Sequence, residues 1–126
     1  MLVYSTANRH VILIVEDDFL IRIDAADMIR AAGFEVVEAE HANEAIEILE
    51  RGLDITVVFT DVHMPGSMDG LKLAAAIRGR WPPIKIVATS GRAKLSTDDL
   101  PFGSRFLMKP YSAREFPDAK SNCLDR

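Results

Sequence analysis

The chain has 126 residues, of which 48% are hydrophobic and 27% charged, and this size and mixture are typical of one globular domain. Its net charge of −4 argues against a nucleic-acid partner, since nucleic-acid-binding domains usually have a basic face. The longest apolar run, Val11 to Val15, is too short to cross a membrane, and the N-terminal residues lack the pattern of a secretion signal. The single Cys123 excludes an internal disulfide, so we expect a cytoplasmic protein without a membrane partner.

The first half of the chain alternates between short apolar runs and helical patterns. Val11 to Val15 is a continuous apolar run of the kind that is buried on both faces of a parallel sheet. A helical pattern follows and ends at Gly33, and Phe34 to Val37 predicts a second strand. A second helical pattern ends at Gly52. The apolar stripe of the first helix consists of Ile21, Ala25, Met28, Ile29 and Ala32, and that of the second consists of Ala42, Ala45, Ile46 and Leu49.

The same alternation continues past the middle of the chain. Ile55 to Phe59 predicts a third strand, and a loop runs from His63 to Gly70. Leu71 to Arg78 predicts a helix. We expect this helix to end at Gly79, because a Trp-Pro-Pro segment that cannot continue it follows at residues 81–83.

Two more strands are predicted near the C-terminus, Ile84 to Ala88 and Arg105 to Met108. The segment between them is a poor helix former, which predicts a short or irregular fourth helix. A capping box at Ser112 begins a last helix, but Pro117 lies within its first turns, so that helix is expected to be brief or displaced. Five strands that alternate with helices predict a parallel sheet covered by helices on both faces.

Polar side chains follow the carboxyl ends of the predicted strands, where ligands bind in open parallel sheets. They are Glu16, Asp17 and Asp18 after the first strand, Asp61 after the third, Thr89 and Ser90 after the fourth, and Lys109 after the fifth. Clustered carboxylates are oxygen ligands that Mg²⁺ uses in proteins. A carboxylate beside such a metal and a lysine suits phosphoryl transfer, with the carboxylate itself as the nucleophile. Taken singly, acids at strand ends are more often helix caps, a role that is open to Asp18.

Four stretches of the sequence resemble, in order, motifs of the response-regulator receiver family. They are ILIVEDD (Ile12 to Asp18), TDVHMPGSMDG (Thr60 to Gly70), TSG (Thr89 to Gly91) and FLMKP (Phe106 to Pro110). The resemblance implies an α/β fold with a five-stranded parallel sheet and helices on both faces, the flavodoxin-like receiver fold. We expect a receiver domain at 11–120 between an N-terminal extension at 1–10 and a C-terminal tail at 121–126, with no effector domain of its own.

The resemblance also implies roles for the acidic residues. Asp61 matches the phosphoacceptor, which is also a metal ligand. Glu16 and Asp17 match the acidic pair that organises Mg²⁺ or Mn²⁺. Asp17 is preferred as the direct ligand, and Asp18 is not favoured as a contributor. His63 falls where the family supplies a backbone carbonyl to the metal, although its imidazole could instead affect hydrolysis of the phosphorylated state.

Further roles follow from the same resemblance. Ser90 matches the switch hydroxyl, with Thr89 as its rival, and Lys109 matches the lysine that pairs with the phosphoryl oxygens. Phe106 matches the aromatic switch residue, and a plain core role is the alternative. The implied function is a phosphorylation-driven switch, not an enzyme beyond slow hydrolysis of its own phosphoryl group. The implied partners are a histidine kinase or histidine phosphotransfer protein and an unknown downstream protein target.

Three other functions remain open at this point. A nucleotide- or flavin-binding module would share the sheet, but the chain has no GxxxxGK[ST] loop and its first turn is acidic. A phosphatase with an aspartyl intermediate would favour a carboxylate two residues after Asp61, where this chain has His63. A pseudo-receiver that only binds partners is opposed by the complete acid set.

The loop after Asp61 has one residue more than the commonest family form, near Ser67, without loss of a ligand.

Overall fold

The computed structural model describes residues 10–62 and 69–90 and the backbone of residues 105–108. Within these ranges there are five strands: β1 Val11–Val15, β2 Glu35–Ala39, β3 Ile55–Asp61, β4 Lys85–Ser90 and β5 Arg105–Met108. The three helices are α1 Phe19–Ala31, α2 Ala42–Glu50 and α3 Gly70–Arg80. The strands form one parallel sheet in the order β2-β1-β3-β4-β5. The predicted parallel α/β fold is therefore confirmed.

Two hydrophobic cores lie on opposite faces of the sheet, because successive side chains of a strand point to opposite faces. Ile12 and Ile14 of β1 belong to the core that includes the buried apolar residues of α1. Leu13 and Val15 belong to the other core, which includes the buried residues of α2 and α3. The predicted burial of this strand on both faces is confirmed. None of the helices in the described ranges is long and apolar enough to span a membrane.

Glycines end the first two helices as the sequence predicts. Gly33 has a φ of 97° and Gly52 a φ of 79°, and this left-handed conformation after a helix is one that glycine adopts without a steric penalty. The predicted apolar stripe of α1 is wrong at one position. Ala32 is exposed and caps the helix C-terminus.

The end of α3 also differs from the prediction. The helix does not stop at Gly79 but continues to Arg80, with Trp81 as its C-cap. Glycine inside a helix costs only about 1 kcal/mol relative to alanine, and α3 buries Leu73 and Ile77 completely against the sheet. Packing therefore outweighs the local preference, and the helix ends where Pro82 restricts the residue before it.

Three of the five strands, β2, β3 and β4, differ from their predicted bounds by one or two residues at an end. The second strand covers Glu35–Ala39, where the sequence suggested residues 34–37, because its position is set by pairing with β1. The fifth strand, Arg105–Met108, is confirmed at both ends. The loop around Ser67, the predicted fourth and last helices and the flanks at 1–9 and 121–126 lie outside the described residues.

An unusual N-cap begins α2. The Nδ1 atom of exposed His41 accepts a hydrogen bond from the backbone N–H of Glu44 at 3.2 Å. An imidazole nitrogen accepts only when it has no proton, whereas a hydroxyl oxygen always has lone pairs, and serine is among the preferred N-caps. His41→Ser should therefore raise the free energy of unfolding by about 0.5 kcal/mol, and His41→Ala should lower it by about 1 kcal/mol.

Urea denaturation of the two His41 variants and the wild type checks this prediction. Serine is preferred to aspartate for the test because Glu40 and Glu44 already place two carboxylates at this helix end. The backbone N–H of Glu40 donates to Oε1 of Glu44 at 2.7 Å. Equal stability of the serine and alanine variants would show that the cap contributes nothing.

Candidate metal centre at the carboxyl edge of the sheet

Three carboxylates meet at the carboxyl edge of the sheet. Glu16 and Asp17 directly follow β1, and Asp61 is the last residue of β3. Each offers one oxygen atom, and these oxygens all lie within 4.8 Å of one another. Glu16 and Asp61 are 4% and 7% exposed, whereas Asp17 is open to solvent. The structure thus brings together the acids that the sequence placed at two strand ends.

This set of donors fits a hard divalent cation. Three negative charges in so small a space repel one another, and burial of two of them adds a desolvation penalty. Mg²⁺ takes oxygen ligands and usually binds one or two carboxylates together with waters. Because Asp17 faces solvent, the cluster leaves room for water and for an incoming group. Glu16, Asp17 and Asp61 are therefore the residues that would hold the metal.

Three hydrogen bonds fix the position of Glu16. Its backbone N–H donates to the carbonyl of Ala39 at 3.1 Å, and its own carbonyl accepts from Nη1 of Arg22 at 3.0 Å. Its side-chain Oε2 accepts from the N–H of Asp18 at 3.1 Å. The first residue of the acidic pair is thus held from the second strand, from α1 and from the following turn.

Asp18 has a structural role that the sequence left open. It is the N-cap of α1, and its Oδ1 accepts from the N–H of Ile21 at 3.1 Å. Among the described residues it does not belong to the cluster of three acids. The helix-cap interpretation of Asp18 is confirmed.

Asp61 is held in place by its neighbours in the chain and in the sheet. The N–H of Val62 donates to the carbonyl of Thr89, and the N–H of Gly70 donates to the carbonyl of Val62, both at 2.9 Å. A Cβ on Gly70 would overlap the Asp61 carbonyl oxygen and lie 2.9 Å from its carbonyl carbon. Only glycine allows α3 to begin this close to the phosphoacceptor candidate.

Gly70 belongs to the matched loop motif, but sequence reasoning gave it no role of its own. A usable signal is the Asp69-Gly70 pair at the start of the helix. Asp69 is the N-cap of α3, and its Oδ1 accepts from the N–H of Lys72 at 3.0 Å. A cap followed by glycine indicates a helix start that is pressed against another backbone.

The remaining predicted site residues are described only in part. Thr89 is the register partner of Asp61, is 1% exposed, and its hydroxyl lies 3.5 Å from the Thr60 carbonyl. Ser90 ends β4, and its side chain lies outside the described residues, as do His63 and Lys109. For Phe106 only the backbone is described, paired with Ala88, so these roles stay predictions.

Arg22 is a buried residue that the sequence analysis missed. It is 7% exposed, and its Nε donates to Oε1 of Glu38 at 3.1 Å. A signal was present, since Ala26 and Ile29 follow it at spacings of four and seven residues, which place all three on one helix face. The predicted stripe began instead at Ile21, which is only partly buried.

Comparison with known proteins gives the family of this chain. The family model for the response regulator receiver domain matches residues 12–119. The chain belongs to this family. A chemotaxis protein CheY homolog from Campylobacter jejuni is 30% identical over 119 residues, which cover 90% of this chain and 91% of that protein.

Other receiver relatives are longer than this chain. Sensor kinase CckA from Brucella abortus is 33% identical over 119 residues, which cover 91% of this chain and 12% of the kinase. Transcriptional regulatory protein PdtaR from Mycobacterium tuberculosis is 36% identical over 118 residues, 91% of this chain and 57% of that protein. The chain thus spans only part of the length of these relatives.

Solved structures agree with this family assignment. A response regulator receiver protein from Sinorhizobium medicae matches with a TM-score of 0.87 and 29% identity, over 94% of this chain and 97% of that one. The receiver domain of hybrid histidine kinase CckA matches with a TM-score of 0.76 and 33% identity, over 90% of this chain and 98% of that one. The receiver domain predicted from the sequence motifs is confirmed.

Proposed function

We propose that this receiver domain accepts a phosphoryl group on Asp61 from a histidine kinase or a histidine phosphotransfer protein, in a reaction that requires Mg²⁺ or Mn²⁺. The observation behind the proposal is the cluster of Glu16, Asp17 and Asp61, whose oxygens lie within 4.8 Å of one another. In a chain of the receiver family, such a cluster at the carboxyl edge of the sheet supplies both a nucleophile and a metal site.

Phosphoryl transfer requires little covalent chemistry from the protein beyond the attack by Asp61. A carboxylate oxygen of Asp61 attacks phosphorus and forms a P–O bond, while the P–N bond to the donor histidine breaks and the imidazole nitrogen takes up a proton. A bound Mg²⁺ supplies positive charge that stabilises the phosphoryl oxygens in the transition state. The close contact of Gly70 with the backbone of Asp61 and the pairing of β3 hold the attacking residue in place. This lowers the entropic part of the activation barrier.

Lys109, Ser90 and Phe106 complete the proposed switch. The lysine would act as a point charge on the phosphoryl oxygens, and the His63 carbonyl as a further metal ligand. Phosphorylation adds about −1.5 to −2 charges near neutral pH. We propose that this charge draws the Ser90 hydroxyl inward and that Phe106 follows, so that a protein target binds the altered surface. Slow hydrolysis of the phosphoryl group would reset the switch.

We also propose bounds for the domain and a cellular location for the protein. The receiver unit would cover residues 11–120, flanked by an extension at 1–10 and a tail at 121–126. A cytoplasmic location stays the expectation, because a lone Cys123 cannot form a disulfide within the chain.

Phosphotransfer profiling tests the proposed function directly. The chain is incubated with each phosphorylated histidine kinase of its source organism, with Mg²⁺ or with EDTA. We expect rapid transfer from one or a few kinases, and only with the metal present. Lack of transfer from every kinase, together with lack of labelling by small phosphodonors, would favour a pseudo-receiver that only binds partners.

A further inference from the structure

We infer that Arg22 is a positioning residue of the metal centre, which holds the backbone of Glu16 in place from α1 and so sets the affinity for the divalent cation. The inference rests on the proposed function, because it concerns the same acidic site. It adds a residue from outside the matched motifs, whose side chain contacts neither the phosphoryl group nor the metal in this scheme.

The guanidinium of Arg22 joins two parts of the fold. Its Nη1 donates to the carbonyl of Glu16 at 3.0 Å, a buried hydrogen bond. Its Nε donates to Oε1 of Glu38 at 3.1 Å. Glu38 lies on β2 and is the register partner of Ile14 on β1. The planar guanidinium thus ties the end of β1, the neighbouring strand and α1 together through one rigid group.

The hydrogen bond from Arg22 to the Glu16 carbonyl affects metal binding because of where this carbonyl lies. The Glu16 carbonyl belongs to the peptide bond that leads into Asp17, so the same peptide joins the two acids that follow β1. On its other side, the N–H of Glu16 is fixed by Ala39 at 3.1 Å. With both backbone groups held, the two carboxylates are preorganised to meet Asp61. Removal of the guanidinium frees this peptide and lets the acids move apart under their mutual repulsion.

A purely structural role for Arg22 would be the attachment of α1 to β2 through Glu38. The chain offers a control for this alternative, because Arg30 of the same helix also pairs with Glu38, through Oε2 at 3.4 Å. Arg30 is about half exposed, and in the described part of the chain its hydrogen bonds do not reach Glu16. Loss of Arg30 removes an ion pair to Glu38 without touching the acidic pair.

The experiment compares Arg22→Met, Arg22→Lys and Arg30→Met with the wild type by calorimetric titration with Mg²⁺. Loss of a group that orients a metal ligand typically lowers metal affinity by 10- to 100-fold, so Arg22→Met should raise the dissociation constant for Mg²⁺ by at least about tenfold. Arg22→Lys should give a smaller rise, because a lysine cannot reach both partners with one planar group. Arg30→Met should leave the constant unchanged.

A second measurement needs no metal. Amide hydrogen exchange of the metal-free proteins should show faster exchange at Glu16 and Asp18 in Arg22→Met but not in Arg30→Met, since these two N–H groups depend on the position of Glu16. At saturating Mg²⁺, phosphorylation of Arg22→Met by acetyl phosphate should return to near the wild-type rate, as expected of a residue that acts through metal affinity.

The outcomes separate this inference from the proposed function. A wild-type protein that binds no Mg²⁺ would count against the proposed function itself. A wild type that binds Mg²⁺ with the same affinity as Arg22→Met would overturn the role of Arg22 alone. If Arg22→Met does not fold, as judged by circular dichroism, Arg22→Lys decides the question, and a wild-type Mg²⁺ affinity in that variant overturns the inference.

Discussion

Asp61→Asn should abolish covalent phosphorylation of this chain by acetyl phosphate, whereas the wild type should gain one phosphoryl group when Mg²⁺ or Mn²⁺ is present. Asparagine has nearly the same shape as aspartate, so the fold and the register of β3 should persist. Its neutral amide has no anionic oxygen to attack phosphorus, and it removes one of the three charges of the metal cluster. We therefore expect Asp61→Asn to lose phosphorylation by acetyl phosphate completely.

Intact-mass spectrometry of the wild type, Asp61→Asn and Asp18→Asn checks this result, with and without EDTA. Asp18→Asn is the matched control, because it makes the same chemical change at the same edge of the sheet. Asparagine is as good an N-cap as aspartate, so this variant should keep α1 and be labelled like the wild type. Equal labelling of Asp61→Asn and the wild type would contradict the assignment of the phosphoacceptor.

Gly70→Ala should lower the free energy of unfolding by about 3 kcal/mol, the upper range for overpacking in a closely packed interior. The added Cβ would overlap the Asp61 carbonyl oxygen and lie 2.6 Å from the Cα of Val62. Asp61 is the last residue of β3, and the N–H of the following Val62 donates to the carbonyl of Thr89 on β4. These backbone atoms therefore cannot move without strain on the pairing of β3 with β4. Because any shift displaces Asp61, phosphorylation should slow as well.

Gly79→Ala is the matched control for Gly70→Ala. It makes the same change on the same helix, but a Cβ at Gly79 would meet no heavy atom within 4 Å. Alanine there should raise the free energy of unfolding by about 0.5 to 1 kcal/mol through helix propensity. Urea denaturation of both variants measures the difference. Stability of Gly70→Ala equal to the wild type would show that α3 can move away from Asp61 at no cost.

The sequence by itself determined the order and type of the elements in the part of the chain that the structure describes. Continuous apolar runs such as Val11–Val15 and the stripe of α2 have the periods of a buried strand and an amphipathic helix, and these periods are local properties. Because parallel strands end at one edge, the pattern also predicted that the acids after β1 and β3 would meet. Glu16, Asp17 and Asp61 do meet there, with oxygens within 4.8 Å of one another, because the parallel topology brings their strand ends to the same edge.

The tertiary structure decided the points that depend on contacts between distant segments. α3 continues through Gly79 because its packing on the sheet outweighs local propensity. The guanidinium of Arg22 can be buried because Glu38, which is 16 residues away in the chain, accepts its hydrogen bond. The helical spacing of Arg22 indicates a buried face but does not identify this partner. Gly70 has to be glycine because the backbone of β3 lies against it. Local sequence patterns indicate such positions at most, as the Asp69-Gly70 pair does, and do not specify the partner, since each contact forms only when the sheet and helices have packed together.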